Sequence, residues 1–318
     1  MMIETTGLRK SFRSRQGREV KTVEAVRGVD MTVAEGEIFG FLGPNGAGKT
    51  TTLRMFATLI QPDGGKATIA GADLQRDPGE VRRRIGYVAQ GGSTWDDVTA
   101  REELVLHARM YGIGKAEAHE RATKALAAFQ LTEYADRKCK TYSGGQRRRV
   151  DIALGIIHGP RIAFLDEPTT GLDPQSRAYM WDEVRRLRSE GMTVFITTHY
   201  LDEADALCDR IAIIDHGRIV AEGTPTTLKR EISSEVVTVG LNGNAAAAAA
   251  VLDTQPCVRK LEIRDDGLRL YVDDGATALP QVMRSLEGAH LTLDSIKVHR
   301  PSLDDVFLAK TGRSLREE

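Results

Sequence analysis

Short apolar runs rich in Val, Ile and Phe recur along the chain up to about Glu222, at Glu37–Leu42, Ile85–Ala89, Ile162–Leu165, Thr193–Thr197 and Ile211–Ile214. Several are followed by helical patterns, and continuous apolar strands alternating with helices predict a mostly parallel sheet covered on both faces. The first part of the chain has a different texture. Glu4–Phe12 and Thr22–Val33 alternate apolar and polar positions like half-exposed strands, with the polar stretch Arg13–Lys21 between them as a hairpin loop. From about Thr99 to Ala135 the pattern is helical, opened by Thr99 with Glu102 three positions on, which is a capping box. This predicts a helical subdomain over about 95–155, inserted between two strands of the sheet.

After Gly223 the pattern changes again. Thr224-Pro225 breaks the chain, and a short helix is expected to about Glu231. A second unit follows with strand Val236–Leu241, helix Ala245–Leu252, strands Val258–Arg264 and Leu268–Val272, helix Leu279–Leu286 and strand Leu291–Val298. Asp265-Asp266-Gly267 has hairpin-turn composition, and the order β-α-β-β-α-β is ferredoxin-like. A last helix begins after Pro301, with Ser302 and Asp305 spaced as a capping box. The expected domains are 1–232 and 233–318.

Composition narrows the class. Lys+Arg is 44 and Asp+Glu is 45, for a net charge of -1, with 41% hydrophobic and 28% charged residues. That is an ordinary folded protein and not one built to coat nucleic acid. The longest apolar run, Ala245–Leu252, falls short of the roughly 20 residues of a membrane span, and MMIETTGLRK has no apolar signal stretch. Cys139, Cys208 and Cys257 are widely spaced and read as thiols of a reducing compartment. The expectation is a soluble intracellular chain. The clusters Arg82–Arg84, Arg147–Arg149 and Arg185–Arg188 read as solvated faces or internal ion pairs, with no nucleic-acid partner expected.

Strand Glu37–Leu42 runs into Gly43-Pro44-Asn45-Gly46-Ala47-Gly48-Lys49-Thr50-Thr51, which satisfies G-x-x-x-x-G-K-[ST] with a strand before and a helix after. Glycines let backbone N–H groups turn inward as an anion nest, and the helix N-terminus points about half a positive charge at it. Lys49 is placed for the β/γ-phosphates of a nucleotide and Thr50 for Mg²⁺. Ile162–Leu165 delivers Asp166 and Glu167 to the carboxyl edge of the sheet, where α/β ligands bind. Asp166 suits the metal as a Walker-B acid, and Glu167 suits a general base for water.

Tyr142-Ser143-Gly144-Gly145-Gln146 completes a pattern that resembles the ATP-binding subunits of ABC transporters over roughly Met2 to Glu222. The resemblance implies a P-loop NTPase cassette, α/β with antiparallel β and helical subdomains, carrying a small α+β ferredoxin-like C-terminal domain. It implies that Ser143, Gly144, Gly145 and Gln146 close over the γ-phosphate of ATP held by a second copy of the chain. Gln90 matches the glutamine that senses Mg²⁺ and couples to the permease. Gly171-Leu172-Asp173-Pro174 matches the loop that crosses the dimer interface, and His199 the histidine at the γ-phosphate. Taken alone, a histidine or glutamine after a strand is usually structural; order and placement at successive strand ends favour the site. Phe12 fits the aromatic that stacks on adenine, or a core phenylalanine at a strand end.

Pro301–Leu308 with Thr311-Gly312-Arg313 is similar to the tail of daunorubicin-resistance-type subunits, which serve drug, antibiotic or lipid exporters. ATP hydrolysis with Mg²⁺, a membrane permease on a separate chain and a place on the cytoplasmic face of the membrane are thereby implied. The competing reading is a soluble ABC-type ATPase of translation or repair. Such chains carry two cassettes or long coiled-coil or zinc insertions, and the interval from Lys49 to Ser143 has no heptad run or cysteine cluster. The C-terminal unit reads as a dimer-stabilising domain, or as a ligand-sensing module.

Overall fold

The structure is a computed structural model that describes residues 1–16, 19–232, 235–241, 245–264, 267–289, 291, 293–299 and 301–313. It divides into two compact units, Met1–Pro225 and Thr226 onward. The strands of the first unit are, in chain order, β1 (Ile3–Gln16), β2 (Glu19–Val33), β3 (Ile38–Leu42), β4 (Gly64–Ile69), β5 (Ala72–Asp73), β6 (Ile85–Val88), β7 (Ile162–Asp166), β8 (Thr193–Thr198), β9 (Arg210–Asp215) and β10 (Arg218–Gly223).

Six of them form one sheet in the order β10-β9-β3-β8-β7-β6, parallel except for the β9–β10 pair at one edge. Every residue of β3, β7 and β8 is buried, as expected of mainly apolar strands covered on both faces, and the polar exceptions are Asp166, Thr193, Thr197 and Thr198. Phe39, Phe41, Phe56, Phe164 and Phe195 fill the space under the sheet, with Phe39 stacked on Phe195 at 5.6 Å. The remaining strands form an antiparallel sheet in the order β2-β1-β4-β5. Its hairpin is longer than the hydrophobic pattern implies. Pairing continues from Ile3↔Val33 to Gln16↔Glu19, so the polar stretch Arg13–Lys21 is ladder and not loop, apart from residues 17 and 18, which lie outside the described residues. Backbone N–H and C=O groups pair whatever the side chains, and polar residues on both faces do not stop an antiparallel ladder.

Helices Ala100–Met110 and Lys115–Ala128 lie between β6 and β7, followed by helix Gly144–Ile156. Thr99 caps the first of these through a full capping box with Glu102.

The second unit has β11 (Glu235–Leu241), β12 (Val258–Arg264), β13 (Gly267–Val272) and β14 (Leu293–His299), in the order β12-β13-β11-β14 with every neighbouring pair antiparallel. This is the ferredoxin-like order expected from β-α-β-β-α-β. Helices Ala245–Leu252 and Gly275–Gly288 supply Ala248, Leu252, Val282 and Leu286 to a core shared with Val237, Val239, Leu268 and Leu270. The second helix begins earlier than Leu279, because Asp274 accepts hydrogen bonds from the Ala276 and Thr277 amides and starts a turn ahead of Pro280. Asp265 and Asp266 of the expected turn lie outside the described residues; Gly267, at φ 135°, belongs to β13. Ser302 and Asp305 cap helix Leu303–Thr311 as a capping box.

Candidate active site

The site grows from the carboxyl ends of β3, β6, β7 and β8. β3 ends at Leu42, and the loop from Gly43 turns into helix Lys49–Phe56. Two glycines are obligatory for spatial reasons. A Cβ on Gly43 would lie 2.2 Å from the Ile214 carbonyl oxygen, and one on Gly48 would lie 2.4 Å from that of Ala25. Gly48 is also left-handed at φ 108°. Ala47 donates back to the Pro44 carbonyl at 3.2 Å, closing the turn, while Asn45 and Gly46 stand exposed at its lip. Lys49 is buried; its Nζ donates to the carbonyls of Gly43 (2.7 Å) and Pro44 (3.1 Å) and lies 3.3 Å from Glu167 Oε1.

Asp166 and Glu167, adjacent in sequence, face different partners. Asp166 Oδ1 accepts from Thr50 Oγ1 at 3.1 Å and from Thr197 Oγ1 at 2.6 Å. Glu167 sits at φ 44°, a left-handed conformation that swings its carboxylate away from that of Asp166. Its Oε2 accepts from Gln90 Nε2 (3.0 Å) and Thr170 Oγ1 (3.2 Å) and lies 3.2 Å from His199 Nδ1. Burial opposes ionisation of Glu167, but the neighbouring His199 and Lys49 outweigh it and hold the carboxyl down at about 2.

A concavity of about 260 Å³ is lined by Ala25, Asn45, Gly46, Gly48, Lys49, Thr50, Thr51, Gln90 and Glu167. The structure therefore brings together the phosphate-loop residues, both strand-end acids, Gln90 and His199. It does not bring Ser143, Gly144, Gly145, Gln146 or Asp173 to the lining of this concavity. Ser143 caps helix Gly144–Ile156, accepting from Gln146 N at 3.2 Å while its own amide donates to Gln146 Oε1 at 2.9 Å. Gly145 lines a separate concavity with Arg149, Gln175, Ser176 and Tyr179. Asp173 caps helix Pro174–Ser189 by accepting from Ser176 N at 2.9 Å. Phe12 is exposed on β1 opposite Val23, which rules out a core role for its ring; it is not among the residues lining the phosphate concavity.

Mg²⁺ usually takes one or two carboxylates, a hydroxyl, waters and substrate phosphates, not a closed protein cage. The Thr50 hydroxyl and the Asp166 carboxylate, 3.1 Å apart, fit such a donor set, and Thr197 orients the carboxylate. Gln90, also expected at the metal, lines the same concavity but directs its amide N–H to Glu167.

Two structural residues escape sequence reasoning. Arg148, within a run read as a solvated face, is buried and donates to the main-chain carbonyls of Ala89 (2.7 Å), Pro168 (2.9 Å) and Asp166 (3.0 Å). Asp151 Oδ1 accepts from the amides of Ser93 (2.8 Å) and Thr94 (3.1 Å) and from Thr94 Oγ1 (2.6 Å), fastening the segment after Gln90 to the same helix. The available signal was a polar residue between Val150 and Ile152, both buried. Arg147 pairs with Asp96 at 2.6 Å, and Arg149 donates to the Phe129 carbonyl. The other arginine clusters also pair internally, Arg84 with Glu80 and Arg186 with Glu183 and Glu190.

Parallel sheet, phosphate loop, strand-end acid pair and helical insertion define a P-loop nucleotide hydrolase of the ATP-binding-cassette class. Residues 26–170 match the ABC transporter family model, and residues 223–311 match that of the ATP-binding protein DrrA1-3-like C-terminal domain. The chain is 45% identical to the daunorubicin/doxorubicin resistance ATP-binding protein DrrA of Streptomyces peucetius, over 98% of this chain and 92% of that protein. It is 36% identical to the linearmycin resistance ATP-binding protein LnrL of Bacillus subtilis, over 99% and 100%. Among solved structures, the dimeric ATP-binding cassette MJ0796 bound to ADP and Pi superposes with a TM-score of 0.63 at 28% identity, over 70% of this chain and 98% of that one. The chain belongs to the ABC-transporter ATP-binding subunits of the daunorubicin-resistance family, and it binds and hydrolyses ATP.

Proposed function

We propose that this ATPase drives export of a drug, antibiotic or lipid through a separate membrane permease, by the ATP-dependent closure of two copies of the chain. One observation carries the reading: the phosphate loop and Glu167 line one concavity, whereas Gly145 of the signature lines another. Each chain thus presents two half-sites, and two copies in head-to-tail register complete two ATP sites. The solved dimer of a similar cassette and the resistance proteins among the relatives support it.

In this reading residues 43–51 cradle the phosphates, and Thr50 and Asp166 would hold Mg²⁺, which would supply charge neutralisation to the phosphate groups. Glu167 accepts a proton from the water that attacks the γ-phosphorus, while the bond to the ADP oxygen breaks. Lys49 times this step. When it turns to the phosphates, Glu167 loses a cationic neighbour, and its basicity rises from a value too low for a useful base. His199 holds Glu167 and the γ-phosphate in line, Gln90 reads the state of Glu167, and Ser143 with Gly145 closes over the partner's ATP. Phe12 stacks on adenine from the exposed face of β1. The domain from about residue 233 onward stabilises the pair. Among the described residues no helix is long and apolar enough to cross a membrane, which suits a subunit held at the cytoplasmic face by its permease.

The test is Glu167→Gln with Mg-ATP. The variant is expected to retain ATP and run as a dimer in size exclusion with light scattering, and as a monomer with ADP. A monomer in ATP, or hydrolysis at the parental rate, sinks the composite-site mechanism.

A further inference from the structure

Behind the acid pair the molecule buries another carboxyl. Glu203 lies on helix Leu201–Leu207, which starts just after His199, and it is 0% exposed. Its Oε1 accepts from Thr169 Oγ1 at 2.8 Å and from Trp181 Nε1 at 3.1 Å, and the Thr198 hydroxyl also faces the carboxyl. Burial pushes the Glu203 carboxyl up, against the pull of these donors and of Arg177. An acid sealed from water is costly unless hydrogen bonds satisfy it, so what matters at Glu203 is what those bonds hold together.

Its partners show what that is. Thr169, itself buried, leaves the turn at Glu167, and Thr198 ends β8 immediately before His199. On the near side, the Glu167 amide is already tied to β8, donating to the Thr197 carbonyl at 3.1 Å with Thr197 Oγ1 at 3.0 Å. On the far side, Thr169 is tied to Glu203. The left-handed turn at Glu167 is therefore clamped at both ends, once to β8 and once to the helix that His199 leads into. We infer that Glu203 is a positioning residue for ATP hydrolysis: it pins the loop after β7 to the segment after β8 and so fixes the 3.2 Å approach of His199 to Glu167. The inference rests on the proposed roles of Glu167 and His199.

Releasing one end of the clamp lets the turn relax toward an ordinary conformation. A displacement of about 1 Å at a reacting group costs up to about a hundredfold in rate. Glu203→Ala and Thr169→Val, the latter exchanging the hydroxyl for a methyl, are each expected to lower kcat by about tenfold to a hundredfold while KM for ATP stays within about threefold. The double variant is expected to be no slower than the slower single one, because both remove the same contact. Glu203→Gln keeps an oxygen acceptor in the shape of the neutral acid and is expected to restore kcat to within about threefold of the parent. An unchanged kcat in Thr169→Val, a multiplicative double variant, or a Gln variant as slow as Ala overturns the inference. If Glu203→Ala does not fold, Thr169→Val and Glu203→Gln decide alone. Parental turnover by Glu167→Gln would instead show that the reading of the site itself fails.

Discussion

Replacing Glu167 by Gln tests the electrostatics of the site without any nucleotide. The amide has the shape of the neutral acid, so the change in stability measures how strongly the fold prefers the carboxylate. With the side chain 6% exposed, solvent screening is slight, and the fall from the ordinary 4.5 to about 2 corresponds to about 3 kcal/mol. The folded value is depressed, so this stabilisation is complete above the unfolded value and is lost as pH falls through the folded one. At pH 7 the variant is expected to be less stable than the parent by about 3 kcal/mol, and the gap should close between about pH 4.5 and pH 2. Urea unfolding followed by tryptophan fluorescence reads the correct unit, because Trp95 and Trp181 are the chain's two tryptophans and both precede Pro225. Equal stability at pH 7, or a gap that widens on acidification, would refute the claim that His199 and Lys49 overcome the burial of this acid.

Gly48→Ala should weaken binding of a fluorescent ATP analogue at least tenfold, since its methyl would meet the Ala25 carbonyl at 2.4 Å in a left-handed turn; parental affinity would mean the loop yields there. For Asp151→Ala, hydrogen exchange at the amides of Ser93 and Thr94 should speed by about tenfold or more, as a charge-assisted acceptor is worth about 1.5–3 kcal/mol. Unchanged protection would remove Asp151 as the anchor of that segment. Ser302→Ala is expected to cost about 1 kcal/mol through loss of the capping box, seen as lower exchange protection across helix Leu303–Thr311.

What could be read from the sequence was what is local. The phosphate loop is a strand, a turn and a helix in succession, so spacing alone placed Lys49 and Thr50. Asp166 and Glu167 were legible because a short apolar strand had to end on them. What those acids touch was not legible. Thr197 meets Asp166 through the β7–β8 register, and which strands are neighbours in a parallel sheet depends on the crossovers between them and not on either strand's residues. Arg148 was hidden for a related reason. A run of three arginines looks solvated until the helix is seated, and only then does one of them face three main-chain carbonyls. The first hairpin runs longer than its hydrophobic pattern predicts because side-chain polarity says little about backbone pairing. The exposure of Phe12 is a property of the assembled sheet and cannot be read from its neighbours in the chain.

The Arg148 contacts also have a mechanical consequence. They grip both the strand-end loop of the acid pair and the end of β6 near the start of a helix of 13 residues, about 20 Å long. The far end of the same helix is seated directly on β6, where a Cβ on Gly155 would come 2.7 Å from Val88 Cγ2, so the helix is held at two places and not at one. Fixed both at Arg148 and on β6, the helix has no free pivot, and any shift of its first turn must be shared with the strand ends that carry Asp166.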